Sequence, residues 1–302
     1  MRRWKKIYAG AGALLIAVAL FGLLGCDLEE VLENANVEAV REVTETFTAT
    51  GLTQLQVESS NGFVVVEAAD TSTVTATARL RSRGDTLEKA EARVEAIVYE
   101  MRQDGNTVTL RYRSADQTDD VRRYSGVSFT VTVPRQADVY ADTSNGDITV
   151  SGAQGAFDLD TSNGDIELDD LIGTINADTS NGRIEVAGVN GVLILETSNG
   201  AIRMDDVEAR VDARTSNGRI EFSGVLVGDS HTMRTSNGTI GIEIPADASI
   251  AFDASTSIGS ITSDLALVGD TDGRNWNATL NPPATTTLEL HTSNGSIHIE
   301  SL

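Results

Sequence analysis

Four carboxylates recur in this chain at intervals of 18 residues: Asp142, Asp160, Asp178 and Glu196, each directly before a Thr-Ser-Asn-Gly tetrapeptide. In later copies the same place reads Arg214, Arg234, Ser255 and His291. Like charges stacked at strand spacing repel one another, so the column is either outward and solvated or neutralised by cations or a basic ligand. Calcium would need an oxygen kept from copy to copy. The place after each Gly instead reads Asp147, Asp165, Arg183, Ala201, Arg219, Thr239 and Ser296, so no metal is expected. Hydrolysis is the other chemistry that carboxylates suggest, and the densest mixed cluster is Arg203, Asp205, Asp206, Asp212, Arg214 and Arg219. A general acid and a general base need unequal surroundings, which a flat exposed column does not provide. His231, His291 and His298 follow no metalloprotease spacing, and neither GxSxG nor a Gly-rich phosphate loop between strand and helix is present. No catalytic residue and no cofactor is expected.

A repeat positions these side chains. TSNG begins at Thr143, Thr161, Thr179, Thr197, Thr215, Thr235 and Thr292, with TSIG at Thr256 and SSNG at Ser59. The first four intervals are 18 residues, followed by 20, 21 and 36. Within a copy the apolar positions hold fixed places: Ile166, Leu168, Leu171, Ile175 and Ala177 are answered by Ile184, Val186, Val189, Leu193 and Leu195. Two short alternating strands per copy fit these offsets, whereas a helix would need sustained spacings of three and four without internal Gly. Equivalent residues keep the same face inward, which favours stacked coils over a meander of hairpins. The expected fold is all-β: a parallel β-solenoid, β-helix-like and flattened, with coils of about 18 residues. Such a thin interior suits small and branched side chains, and aromatics make up only 5% of the chain. The turn pairs Asn145-Gly146, Asn163-Gly164, Asn181-Gly182, Asn199-Gly200, Asn217-Gly218, Asn237-Gly238 and Asn294-Gly295 read as structural corners, because Asn and Gly tolerate the backbone of a sharp bend.

The repeat region runs over 136–302 and follows a β-rich part over 45–135, the two forming one continuous domain. Strands are expected near 43–50, 53–58, 63–69, 72–80, 106–113 and 127–133. Between them Leu87, Ala90, Val94, Ile97, Val98 and Met101 keep helical spacing, which predicts one capping helix near 86–100 with Asp85 and Glu88 at its start. The stretch 264–284 reads as a looped-out coil plugged by Trp276.

Residues 1–25 have a basic head (Arg2, Arg3, Lys5, Lys6) and an apolar run, the order of a secretory signal. The ending Leu23-Leu24-Gly25-Cys26 resembles the bacterial lipobox. That resemblance implies acylation of Cys26, the only Cys, as the first residue of the mature chain. Residues 26–44 then read as an acidic tether with helical tendency. Loss of the leader's four cations takes the net charge from −22 to −26, which argues against binding nucleic acid.

From about residue 45 onward, the TSNGxI copies, the single helix, the V-P-x-x-A step at Val133 and the closing TSNGSIHI resemble a bacterial family of unknown function described as putative adhesins (domain of unknown function 4097). The resemblance implies an envelope-facing β-solenoid with no known catalytic residues to carry over. The expected function is a non-enzymatic, lipid-anchored envelope protein, an adhesin or a surface or structural binding module. Its expected partners are the membrane, through the acyl anchor at either the inner or the outer membrane, and an envelope protein or glycan. The alternatives are a carbohydrate-active enzyme on the same scaffold and an envelope-stress regulatory module.

Overall fold

The computed structural model describes residues 37–49 and 51–302. The leader, Cys26 and the tether as far as residue 36 lie outside the described residues. The described part opens with β1 (Val37–Thr48), β2 (Thr53–Asn61), β3 (Val64–Ala69) and β4 (Thr73–Gly84), then helix α1 (Leu87–Ala96), β5 (Glu100–Asp104), β6 (Thr107–Tyr112), helix α2 (Asp119–Tyr124) and β7 (Ser125–Pro134). Three details differ from expectation. The segment assigned to the tether enters the sheet at Val37, pairing antiparallel with β4 along all of β1. The long helix is capped by Thr86, whose side chain accepts from the Lys89 amide at 3.3 Å, while Asp85 instead pairs with the Lys89 ammonium at 2.6 Å. It ends at Ala96, so residues 100–104 are strand, and Leu87 and Val98 stay exposed while Ala90, Val94 and Ile97 are buried. The second helix, capped by Thr118, has six residues and is too short to leave a periodic signal.

The repeats follow as β8 (Ala137–Asn145), β9 (Ile148–Ser151), β10 (Gln154–Asn163), β11 (Ile166–Asp169), β12 (Ile172–Thr179), β13 (Ile184–Ala187), β14 (Asn190–Thr197) and β15 (Ile202–Asn217). Two parallel ladders result. In the long-strand ladder β8, β10, β12, β14 and the later part of β15 pair residues 18 apart, such as Thr161 with Thr179. In the short-strand ladder β9, β11, β13 and the start of β15 do the same, with Ile166 opposite Ile184 and Ile184 opposite Ile202. The meander alternative is thereby excluded for these strands. β16 (Ile220–Leu226), β17 (Ser230–Asn237) and β18 (Ile240–Ile244) extend both ladders.

At both ends the stacking order departs from the chain order. The coil made of β19 (Ile250–Ile258) and β20 (Ile261–Ser263) is not the neighbour of β17 and β18. The final coil, β23 (Thr286–Asn294) and β24 (Ile297–Ser301), lies between them: Thr292 faces Thr235 on one side and Thr256 on the other. In the same way β2 lies between β6 and β8, and β3 between β7 and β9. Residues 264–284 are not a looped-out coil. They contain β21 (Leu267–Asp270) and β22 (Asn275–Leu280), an antiparallel hairpin that finishes the long-strand ladder against β19. Trp276 packs half-buried on the core there.

The interior is built from columns. Ile148, Ile166, Ile184, Ile202, Ile220 and Ile240 are each fully buried, one above the next. Each contributes about 1.5–3 kcal/mol by burial. Beside them the motif threonines turn inward, and the Thr179 hydroxyl donates to the Gly164 carbonyl at 3.0 Å, as Thr161 and Thr197 do to Gly146 and Gly182. Thr179→Val keeps the shape and removes one such bond, so the urea midpoint is expected to fall by the equivalent of about 0.5–1.5 kcal/mol. An unchanged midpoint would show that the hydroxyl contributes nothing.

Candidate functional site

Because side chains alternate along a strand, every second residue of the long-strand ladder points outward, and the 18-residue register sets equivalent residues side by side. The column before the motif is longer than its sequence copies announce. Glu58, on β2, pairs in register with Asp142, giving five consecutive carboxylates: Glu58, Asp142, Asp160, Asp178 and Glu196. SSNG at Ser59 was the sequence signal for the added member. Arg111 flanks the run at one end, Arg214 and Arg234 at the other. These guanidiniums are engaged elsewhere: Arg111 with Glu100 at 2.6 Å, Arg214 with Asp212 at 3.1 Å, and Arg234 with Glu289. Glu58 receives the Arg113 Nε–H at 2.6 Å. Among the described residues Asp142, Asp160, Asp178 and Glu196 have no ion-pair partner.

Partial burial holds the Asp142, Asp160 and Asp178 carboxyls above the usual carboxylate range, and like charges push the same way, from neighbouring strands at Asp142 and Asp178 and from Asp158 on the same strand at Asp160. At Asp142 the Tyr140 hydroxyl and Arg113 oppose the rise. A carboxyl with a raised folded pKa contributes stability that is present in acid and lost as pH rises through that pKa. At neutral pH the run therefore works against the fold. Asp178→Asn is expected to raise the thermal midpoint at pH 7 and to lose that advantage toward the ordinary value of 3.8.

His231 titrates with the opposite sign. It occupies an inward position, 2% exposed, opposite Leu288 and among apolar neighbours. The Val211 amide donates to its Nδ1 at 3.1 Å, and its Nε2 is buried with no hydrogen-bond partner among the described residues. Burial lowers its pKa, with Arg210 adding to the effect and the Gly228 carbonyl opposing it. The neutral ring is thus fully tolerated above the ordinary value of 6.5, and stability falls as pH drops below it. Thermal midpoints of wild type and His231→Leu between pH 7.5 and pH 5 check this: the wild-type decline should be absent in the variant.

The turn residues form a second continuous column. Asn145 donates from Nδ2 to the Oδ1 of Asn61 at 3.0 Å, and the same bond recurs for Asn163, Asn181, Asn199, Asn217, Asn237 and Asn294, each onto the Asn of the neighbouring coil. The column stops where Ile258 replaces Asn in TSIG. Gly146, Gly164, Gly182, Gly200, Gly218, Gly238 and Gly295 stack likewise. A Cβ on Gly200 would lie 1.8 Å from the Gly182 carbonyl oxygen.

The six-residue Arg and Asp cluster is divided. Arg203, Asp205 and Arg219 face outward from the short-strand ladder, with Arg203 and Asp205 paired at 2.6 Å and Arg219 and Glu221 at 3.1 Å. Asp206 sits at the corner of β15 with φ of 53°. Asp212 and Arg214 belong to the long-strand ladder, so the six do not converge. His291 and His298 bond through Nδ1 to Ser255 and Thr262 at 2.9 and 2.8 Å. Among the described residues no group of three or more His, Cys, Asp or Glu side chains is placed to hold a metal ion, and no helix is long and apolar enough to cross a membrane.

The family model described as Toastrack DUF4097 matches residues 52–300. Solved structures similar to the chain include a putative adhesin from Parabacteroides distasonis, with TM-score 0.39 at 8% identity over 87% of this chain and 97% of that one. A putative adhesin from Bacteroides fragilis gives TM-score 0.36 at 10% identity over 87% and 97%. A putative lipid binding protein, also from Parabacteroides distasonis, gives 0.33 at 11% identity over 86% and 96%. The comparison with curated proteins finds no relative.

Proposed function

This chain belongs to the Toastrack DUF4097 family, and we propose that it is a non-enzymatic, lipid-anchored binding module of the bacterial cell envelope, its two ladders being the faces of a β-solenoid with coils of about 18 residues. The observation that carries the reading is the run Glu58, Asp142, Asp160, Asp178 and Glu196. Four of these five carboxylates have no ion-pair partner among the described residues, and three are held above their usual acidity range. A flat face that stores unneutralised negative charge gains by meeting a positive one, and complementary charge sets encounter rate and specificity more than raw affinity. The partner we infer is the basic surface of another envelope protein. Acylation at Cys26 would keep the module at a membrane surface, where a partner on the same membrane meets it at high local concentration.

The test is capture from the native envelope with the tethered protein, comparing wild type with the double variant Asp160→Asn and Asp178→Asn. Basic proteins should be retained by wild type, be released by moderate salt and be lost from the variant. An identical captured set from both would remove the acidic face from the interaction. Palmitate incorporation that survives Cys26→Ala would sink the anchor. Cleavage of a cell-wall glycan that disappears in Asp205→Ala or Asp212→Ala would replace the module with an enzyme.

A further inference from the structure

A second site lies on the short-strand ladder, at Gly241. In the outward column Arg203, Glu221, Gly241, His298 and Thr262 stand in register, so Gly241 is a missing side chain between Glu221 and His298. Among the described glycines it alone combines a φ outside the left-handed region with open space where a Cβ would stand. Its φ is not left-handed, and a Cβ built on it would meet no atom within 4 Å, whereas one on the turn glycine Gly238 would fall 1.9 Å from the Gly218 carbonyl oxygen. Glycine weakens a strand interior relative to alanine, and there it marks a place where something approaches the backbone closely. Here its effect is to leave a notch of about 370 Å³ whose floor is the backbone of β16 and β18.

The lining is mixed in charge. Arg203 and Arg219 are each paired with one carboxylate through Nε, which leaves their terminal N–H groups as donors. Glu243 and Glu300 stand side by side in register and have no cationic partner among the described residues, so their oxygens remain as acceptors. Asp205 and Glu221 offset the two guanidiniums, so the uncompensated charge on this wall is that of Glu243 and Glu300, and an anion would be repelled. A neutral molecule that donates and accepts at adjacent atoms meets both kinds of group, and vicinal hydroxyls on a sugar ring do that. The volume is near the lower end of small-ligand sites, about 300–1,000 Å³.

We propose that the Gly241 notch binds one neutral sugar residue of a glycan, with Glu243 and Glu300 accepting from its hydroxyls and Arg219 donating to them. Phe222 belongs to the lining but is buried and offers no stacking face, so binding rests on charge-assisted hydrogen bonds and is weak for a single residue. The site lies on the other ladder from the acidic run and does not depend on it.

Saturation-transfer NMR on the full chain with chitobiose, maltose, lactose and cellobiose tests the proposal, with titration for the Kd of any that bind. Transfer to at least one of them is expected. Gly241→Leu, whose Cβ meets no atom within 4 Å, should abolish it at a thermal midpoint no lower than that of wild type. Should that variant unfold, Glu243→Gln combined with Glu300→Gln should raise the Kd at least tenfold. Asp160→Asn should leave sugar binding unaltered, which separates this site from the acidic face. Absence of transfer to all four sugars, transfer that persists in the filled variant, or binding of spermidine in place of the sugars would overturn the proposal.

Discussion

Removing residues 286–302 is expected to unfold the chain from Ile250 onward while leaving the coils between Ala137 and Phe222 folded. β19 and β20 reach the rest of the sheet only through β23 and β24, and the β21–β22 hairpin reaches it only through β19. Leu288, Leu290, Ile297 and Ile299 are all buried. At about 1.5–3 kcal/mol each, their loss is comparable with the whole stability of an ordinary domain, about 5–15 kcal/mol. The earlier coils keep their own neighbours, because in stacked repeats stability is close to a sum of unit and nearest-neighbour contributions. Hydrogen exchange reads the outcome directly. Amides of 250–280 should exchange at unprotected rates in the truncated chain, while those of β10 to β14 keep their protection. Retained protection over 250–258 would mean that the coil stands without its inserted neighbour.

The second large effect is expected at the turn stack. In Gly200→Ala the new Cβ would sit 1.8 Å from the carbonyl oxygen and 2.5 Å from the carbonyl carbon of Gly182. Both atoms are backbone, held by the parallel ladder on either side, so no side chain can swing away. Overpacking a well-filled site costs about 1–3 kcal/mol and occasionally more, and this position lies at or above the top of that range. The matched control is Gly241→Ala, where the Cβ meets open space and the strand gains about 0.5–1 kcal/mol. Thermal midpoints should move in opposite directions for the two, down steeply for Gly200→Ala and up slightly for Gly241→Ala. Similar shifts of the same sign would show that glycine acts at both through backbone freedom alone.

The periodicity of the copies made their stacking readable, since Ile166, Ile184 and Ile202 recur at one offset and do lie in register. The inserted coils were not readable. A TSNG motif says that a corner exists, yet Thr292 matches Thr235 and Thr256 equally well, and only packing decides that it lies between them. The interval of 36 residues therefore suggested a missing coil where the chain makes a hairpin and then turns back. Only the later part of β1 reads as strand in the sequence; its opening, from Val37, reads as tether because charged residues interrupt its alternation, Arg41 lying on the same side as Ala39 and Val43. Of the candidate surfaces, the acidic column was legible in four of its five members, the fifth being held in a coil whose motif has lost its Thr. The Gly241 notch could not be seen, because its two walls, at Glu221 and His298, stand 77 positions apart in sequence.

Synthesis and stacking run in different orders in this molecule, and that sets a timetable. β19 and β20 are made before the strands that will separate them from β17 and β18. During that interval two long backbone edges face a slot one strand wide, and open edges are templates for foreign strands. Closing the slot joins residues far apart in the chain, the kind of contact that slows folding. The closing coil carries the same TSNG corner and the same inward Ile and Leu as its neighbours, so it fits the slot by the rule that built the stack. Residues 286–301 are thus a late keystone, and the C-terminal end of the sheet is finished only after they have been made.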